Sequence, residues 1–189
     1  AHIDEKKWNG LSNAVCDLID KNFMIIDEID ETNKIINSVY SFASHGPVNV
    51  VIVDDLQLIR SNQQKPTLRS NRTETIKSFK KLAKELNSIV IIITNLKKTV
   101  DIRSGDKKPL IGDMYDADYI LESLADKIIF LHQPQKYGFL EDEYGNSLKG
   151  RAEIILAKNK FGPTDNILCR FNQNYGRFLD ARNNHYFPS

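Results

Sequence analysis

The chain has 189 residues, which is enough for one α/β domain with a substantial core. Its 26 basic and 25 acidic residues give a formal net charge of +1, so overall charge neither favours nor excludes a nucleic-acid partner. The sequence shows no membrane-length apolar run, no signal peptide and no zinc-ligand spacing among its histidines, so we expect neither a membrane span nor a structural zinc. The distant cysteines Cys16 and Cys169 are interpreted as reduced, buried residues of a cytoplasmic protein.

Helices and strands are predicted to alternate as far as residue 132. A helix over 4–21 is capped by Asp4, and a strand follows over 23–27. Thr32 is expected to cap a second helix, which ends near residue 46 and turns Ile35, Ile36, Val39, Tyr40 and Ala43 inward. A third helix is expected to begin at a capping box formed by Asn71 and Glu74. Strands are predicted over 50–53, 89–93 and 127–132, and a short helix near 116–124.

The apolar runs 50–53 and 89–93 are unbroken, which is typical of strands buried on both faces of a parallel sheet. After residue 132 the pattern changes to strands over 152–158 and 166–171, joined by a short turn, with a possible third strand over 177–179. We therefore predict an α/β fold with a mostly parallel, twisted sheet flanked by helices and a C-terminal antiparallel hairpin annex. Residues 1–180 form one domain, and 181–189 form a tail.

Two of the predicted parallel strands end in polar residues. Asp54 and Asp55 follow the strand over 50–53, and Asn95 follows the strand over 89–93. Ligands of open parallel sheets bind beyond the carboxyl ends of the strands, and a carboxylate there can orient a nucleotide-bound Mg²⁺. The alternative is that Asp54 only ends its strand and caps the next turn.

Several separated segments together resemble one family, the C-terminal ATPase domain of DnaB-type replicative helicases, which has a RecA-like core. Residues 50–59, an apolar run followed by two aspartates and Leu-Gln-Leu-Ile, resemble its Walker B segment. Residues 71–74 and 79–87 resemble its Asn-Arg-x-x-Glu and lysine-rich helix, and residues 152–163 resemble its Ala-Glu-Ile-Ile hairpin ending in Gly-Pro. The pairs 171–172 and 177–178 match its closing strand, and Trp8 falls where the family often has a tryptophan.

The chain also departs from this family. No P-loop, GxxxxGK followed by Ser or Thr, occurs in the sequence, and in the family this loop lies upstream of the matched region. The chain thus resembles part of an ATPase domain. Without the P-loop backbone and lysine there is no cradle for the β- and γ-phosphates, so we predict that the chain alone does not hydrolyse ATP.

The resemblance implies roles for several residues. Asp54 would orient Mg²⁺ and its waters, and Asn95 would sense the γ-phosphate or position water, unless it only makes a turn. Asp55 replaces the family's tyrosine and is expected to cap the following turn or pair with a basic neighbour, with a catalytic base as the alternative.

Lys158 and Lys160 lie two residues apart on a strand, so their side chains leave the same face. In the family a lysine and an arginine at these positions insert into the ATP site of the next subunit, as an arginine finger does. The alternative is two solvated hairpin lysines. Tyr175 lies where the family has an aromatic residue near the nucleotide base, and either adenine stacking or core packing would suit it.

In the family the loops after the two strand ends face a channel for single-stranded DNA. Basic residues of these loops would neutralise phosphates, and we select Lys65, Arg69, Arg72 and Arg103. The acidic residues Asp101, Asp106 and Asp113 dilute the second loop's charge, and surface loops are often basic without binding anything.

The resemblance implies that the parent protein is an ATP-dependent DNA helicase using ATP and Mg²⁺. It would form a homo-hexamer on single-stranded DNA, with primase and a helicase loader as possible partners. Two other classes stay open: a RecA-like DNA-binding regulator or recombination mediator, and a non-catalytic assembly module.

Overall fold

A computed structural model of the chain describes residues 4–19, 21–61, 67–105, 107–115 and 118–181. Within these ranges the chain forms helices and strands in the following order: α1 (Glu5–Ile19), α2 (Thr32–Ala43), β1 (Val50–Val53), α3 (Leu68–Glu85), β2 (Ile89–Ile92), α4 (Thr99–Ile102), α5 (Asp118–Leu124), β3 (Lys127–His132), β4 (Arg151–Asn159), β5 (Asp165–Asn172) and β6 (Arg177–Asp180). None of the helices in the described ranges has the length and apolarity needed to cross a bilayer. The predicted tail from residue 182 onward lies outside these ranges.

Strands β1 and β2 pair in parallel, as predicted, with Val50 opposite Ile89 and Val53 opposite Ile92. Burial on both faces was a wrong expectation. One face packs on α2 and α3, whereas Ile52 on the other face is 63% exposed. The residues are apolar on both faces, but only one face meets a helix in the described part of the chain.

The remaining four strands form an antiparallel sheet in the order β3-β4-β5-β6. The predicted hairpin is therefore confirmed as β4 and β5, and β6 extends it. Strand β3 differs from the prediction, because it pairs antiparallel with β4 and its residues alternate between buried and exposed. Its apolar residues lie on both faces, so the sequence did not reveal the alternation.

Helix α3 lies at the centre of the packing. Phe79 and Leu82 are fully buried and join a cluster with residues of α2 and β1. Ile76, one turn earlier on α3, joins a second cluster that includes Ile128 and Phe130 of β3. Fully burying each such side chain contributes about 1.5–3 kcal/mol. Helix α3 thus contributes side chains to both hydrophobic clusters.

The predicted helix starts need two corrections. Helix α3 begins one turn earlier than expected, because the Thr67 side chain caps it by accepting a hydrogen bond from the Ser70 N–H at 3.1 Å. Asn71 therefore lies inside the helix. Thr32 does not cap α2, since its buried hydroxyl donates to the Arg60 carbonyl oxygen at 2.9 Å. Asp4 behaves as predicted and accepts from the Lys7 N–H at 2.8 Å.

Three further expectations do not hold. Residues 23–27 form neither a helix nor a strand, so the predicted strand is absent at these described residues. Tyr40 is partly exposed rather than inward, because its hydroxyl donates to the Glu85 carboxylate at the surface. Cys16 is exposed on α1, whereas Cys169 is buried as expected, and both thiols are free.

Candidate functional site

The carboxyl ends of β1 and β2 bring together a group that we call the strand-end cluster: Asp54, Asp55, Gln57, Thr94 and Asn95. Strand β1 ends at the buried Val53, and the exposed Asp54 follows it directly. The peptide bond between Asp54 and Asp55 is cis. Parallel pairing of the strands places Asp54 and Asn95 at the same sheet edge, as the sequence predicted.

Asp55 links the two strand ends. Its Oδ1 accepts from the Gln57 N–H at 2.6 Å and caps a 3₁₀ turn over Leu56–Leu58. Its Oδ2 accepts from Asn95 Nδ2 at 3.0 Å. The expectation that Asp55 caps the following turn is thus confirmed. Both of its oxygens accept a hydrogen bond, so the exposed carboxylate of Asp54 is the one directed to solvent at this edge.

Gln57 completes the cluster, and sequence reasoning gave it no role. With the amide turned to satisfy both of its ends, the nitrogen donates to Asp55 Oδ1 at 2.7 Å. The oxygen then accepts from the Asn95 N–H at 3.1 Å and from the Thr94 hydroxyl at 2.8 Å. A polar residue between the two leucines of the turn was the signal that could have indicated this role.

Backbone and helix contacts hold the turn in place. The Leu56 N–H donates to the Ile93 carbonyl oxygen at 2.9 Å, which ties the turn to the end of β2. Arg72 of α3 donates from Nη2 to the Gln57 carbonyl oxygen at 2.9 Å and from Nη1 to the Leu56 carbonyl oxygen. Arg72, for which a DNA contact is predicted, thus binds the carbonyl oxygens of this turn.

The oxygen ligands that the strand-end cluster offers fit a magnesium ion carried by a nucleotide. Such an ion uses one or two carboxylates together with phosphate oxygens and water. Asp54 supplies one exposed carboxylate, while Asp55 is already used as an acceptor. Across the described ranges, no group of three or more His, Cys, Asp or Glu side chains is gathered closely enough to hold a metal. Asp54 would therefore hold Mg²⁺ only together with phosphate.

The start of β3 and the end of β4 form a second charged region, which we call the basic corner: Lys80, Lys158 and Lys160 around Asp126. Lys80 of α3 donates to Asp126 Oδ2, and Lys160 Nζ lies 3.9 Å from Asp126 Oδ1. Lys158 Nζ donates to the carbonyl oxygens of Ala125, at 2.9 Å, and Glu122 at the end of α5. Both lysines reach one region, but Lys160 lies in the turn after β4, whereas the sequence predicted it on the strand.

Electrostatics at the basic corner follow from this geometry. The hydrogen bond from Lys80, supported by the charges of Lys80, Lys160 and Lys158, lowers the pKa of Asp126 from its ordinary value. Asp126 is therefore ionised at neutral pH, and three ammonium groups surround one carboxylate. The excess positive charge suits an anionic partner such as a phosphate.

The other predicted site residues are separate from these two regions. Tyr175 lies in the β5–β6 turn and is 81% exposed, which excludes packing in the annex core. Arg103 donates from Nη1 to Asp113 Oδ2 at 2.9 Å, so this predicted DNA contact forms an internal ion pair. Lys65 and the side chain of Arg69 lie outside the described residues.

A family model and two curated relatives match most of the chain. A model of the family described as "DnaB-like helicase C terminal domain" matches residues 1–180. The replicative DNA helicase DnaB of Haemophilus influenzae is 32% identical over 184 residues, covering 94% of this chain and 37% of that protein. A probable plasmid replicative DNA helicase of Chlamydia psittaci is 31% identical over 158 residues, covering 83% and 33%. The chain thus spans less than two fifths of these relatives.

Solved structures give the same result. A DnaB-like replicative helicase, solved in a study of its interactions with primase, superposes with a TM-score of 0.81 at 28% identity, over 94% of this chain and 42% of that one. A solved ATPase domain superposes with a TM-score of 0.82 at 26% identity, over 94% and 61%. The predicted fold class is confirmed, and a non-helicase regulator is not favoured. The chain belongs to the family of DnaB-like helicase C-terminal domains.

Proposed function

We propose that the chain is part of the motor domain of a ring-shaped replicative helicase, which couples ATP hydrolysis to translocation on single-stranded DNA and to duplex unwinding. The observation that carries this proposal is the strand-end cluster: Asp54 and Asn95 lie at the ends of adjacent parallel strands and are linked through Asp55. Relatives that match almost the whole chain are replicative helicases.

Within this motor, the chain supplies two parts of an ATP site. Asp54 would hold Mg²⁺ together with the nucleotide phosphates, and the bound ion would supply charge neutralisation during phosphoryl transfer. Asn95 contacts the γ-phosphate or the attacking water with its amide. Its hydrogen bond to Asp55 fixes the direction of that amide.

The second part serves a neighbouring subunit. Lys160 is 62% exposed at the basic corner, so its ammonium is accessible to phosphate from another chain. Lys158 is tied to the end of α5 and anchors the hairpin. A homo-hexamer, with an ATP site at each subunit interface, accommodates a finger that acts in trans. Lysine keeps the charge of an arginine finger but lacks its planar, two-pronged donor geometry.

The proposal also includes DNA binding and two partner proteins, primase and a helicase loader. Lys65 and Arg69 are the basic loop residues proposed to contact single-stranded DNA. Arg72 and Arg103 instead stabilise the loops, through hydrogen bonds to the Gln57 carbonyl oxygen and to the Asp113 carboxylate. Tyr175 is exposed and is proposed to stack on adenine. A primase partner is supported by the structural neighbour whose study concerns primase.

Mixed hexameric rings test the proposal. They are assembled from two variants of the parent protein, that is, a longer protein that carries this chain together with a P-loop. Asp54→Asn subunits keep Lys160, the proposed finger, but lose the metal ligand. Lys160→Ala subunits keep the metal ligand Asp54 but lose the finger. Each variant alone is expected to lose DNA-stimulated ATPase activity and strand displacement. In an equal mixture about a quarter of the interfaces join an intact Asp54 to an intact Lys160, so ATPase activity should reappear.

Two results would contradict the proposal. Failure of the mixture to exceed either variant alone would exclude action in trans. Hydrolysis of ATP without strand displacement by the unchanged parent protein would favour a regulator. The 189-residue chain alone is expected to show no steady-state turnover, because the phosphate cradle is not in its sequence.

A further inference from the structure

The basic corner contains a residue whose position is not explained by packing. Asp126 precedes β3 and contacts Lys160 twice: its carbonyl oxygen accepts from the Lys160 N–H at 2.8 Å, and its Oδ1 lies 3.9 Å from Lys160 Nζ. Its side chain is 42% exposed, so Asp126 contributes little to the core. It therefore contacts both the backbone and the ammonium group of this lysine.

The Asp126 carboxylate is itself held from the opposite side. Lys80 of α3 donates to Oδ2, and its side chain is only 26% exposed. Helix α3 is anchored in the core by the fully buried Phe79 and Leu82 on either side of this lysine. The carboxylate thus has one rigid partner, Lys80, and one exposed partner, Lys160.

Lys158, near the end of β4, and Lys160, in the turn that follows, differ in their contacts. Lys158 Nζ is a hydrogen-bond donor to two main-chain carbonyl oxygens at the end of α5. Lys160 Nζ makes a longer ion pair at 3.9 Å, beyond hydrogen-bond distance. At this distance the carboxylate attracts the ammonium without taking up its hydrogen-bond donors, which stay available to a phosphate.

We infer that Asp126 is a positioning residue for Lys160, which it orients toward the phosphate bound by the neighbouring subunit. This inference rests on the proposed function, because it assumes that Lys160 acts as the finger. Asp126 does not touch the nucleotide. It acts through Lys160, and Lys80 keeps its carboxylate in place.

A double-mutant cycle in the DNA-stimulated ATPase of the parent protein tests the inference. Asp126→Asn is expected to lower kcat about tenfold and leave the KM for ATP unchanged, in the range found when an orienting partner is removed. Lys160→Ala is expected to lower kcat about 100-fold, as loss of a transition-state donor does. The double variant should match Lys160→Ala within about twofold, because no finger remains to be oriented.

Two further variants serve as controls. Asp126→Glu keeps the charge and should recover most of the lost kcat, which a purely structural defect would not predict. Glu143→Gln removes an exposed carboxylate from the β3–β4 connection and should leave kcat unchanged.

The outcomes separate the inference from the proposed function. If Lys160→Ala lowers kcat but Asp126→Asn adds its full tenfold effect in the double variant, Asp126 acts independently and the inference is wrong. If Lys160→Ala leaves kcat unchanged, the finger role in the proposed function fails, and the inference fails with it.

Discussion

The strand-end cluster and the basic corner show two ways of holding charge at a sheet edge. In the cluster, the capping carboxylate of Asp55 is fixed by hydrogen bonds at 2.6 and 3.0 Å, and Asp54 is left exposed beside it. In the basic corner, three ammonium groups surround Asp126. Lys80 donates a hydrogen bond to its carboxylate and Lys158 donates to the Ala125 carbonyl oxygen, whereas Lys160 lies beyond hydrogen-bond distance of the carboxylate. One region therefore suits a cation, and the other suits an anion.

The difference follows from the two sheets. Parallel strands β1 and β2 end at the same edge, so residues that follow them meet and can be hydrogen-bonded to one another. Antiparallel strands β3 and β4 place the start of one beside the end of the other, so Asp126 meets Lys160. A P-loop ATP site needs both kinds of charge, and this chain presents them on separate sheets.

The largest effect is expected at Asp54. In the parent protein, Asp54→Asn removes the carboxylate proposed to bind the metal, and metal-assisted charge stabilisation is worth several kcal/mol, so kcat should fall about 1,000-fold. Steady-state ATPase assays over a range of Mg²⁺ concentrations measure the change. Asp27→Asn, which neutralises another exposed aspartate, is the matched control and should leave kcat unchanged. An Asp54→Asn protein with normal kcat would exclude Asp54 as the ligand.

A smaller effect is expected at Asn95. Loss of a hydrogen bond to a charged group is worth about 1.5 kcal/mol, so Asn95→Ala should lower kcat about tenfold. Asn95→Gln keeps the amide and should be less impaired. Asp55→Asn keeps an acceptor for the Gln57 N–H but removes the charge that Asn95 faces. If Asn95→Ala leaves kcat unchanged, the proposed contact of Asn95 with the γ-phosphate or the attacking water is wrong.

The smallest effect concerns stability at the basic corner. The pKa of Asp126 is lowered by Lys80, so their interaction stabilises the fold above the ordinary carboxyl pKa and is lost as pH falls through the folded-state pKa. Lys80→Gln should cost about 0.2–1 kcal/mol at pH 7, because the carboxylate is partly exposed, and less at acidic pH, as Asp126 becomes protonated. Urea unfolding of the parent protein at pH 7 and at acidic pH measures the difference.

Lys77→Gln, at an exposed position on the same helix, is the control and should shift stability little at either pH. A cost for Lys80→Gln that grows as the pH falls would show that the Asp126 ion pair is not its cause.

The sequence by itself determined the kinds of elements and the chemistry at their ends. Apolar runs indicated β1 and β2, and the polar residues after them indicated the edge where Asp54 and Asn95 meet, because parallel strands share a carboxyl edge. The β4–β5 hairpin was also predictable, since turn residues separate two local strands.

Only the tertiary structure decided which partner each of these residues has. Three contacts join residues that are far apart in the chain. Strand β3 pairs antiparallel with β4, Arg72 donates hydrogen bonds to the Leu56–Leu58 turn, and Lys80 donates to Asp126. Local propensity cannot specify such contacts, because a charged side chain has many possible partners until packing fixes its distance from each. Residue type therefore indicated the charge of each site, and packing decided which charges are held and which face a ligand.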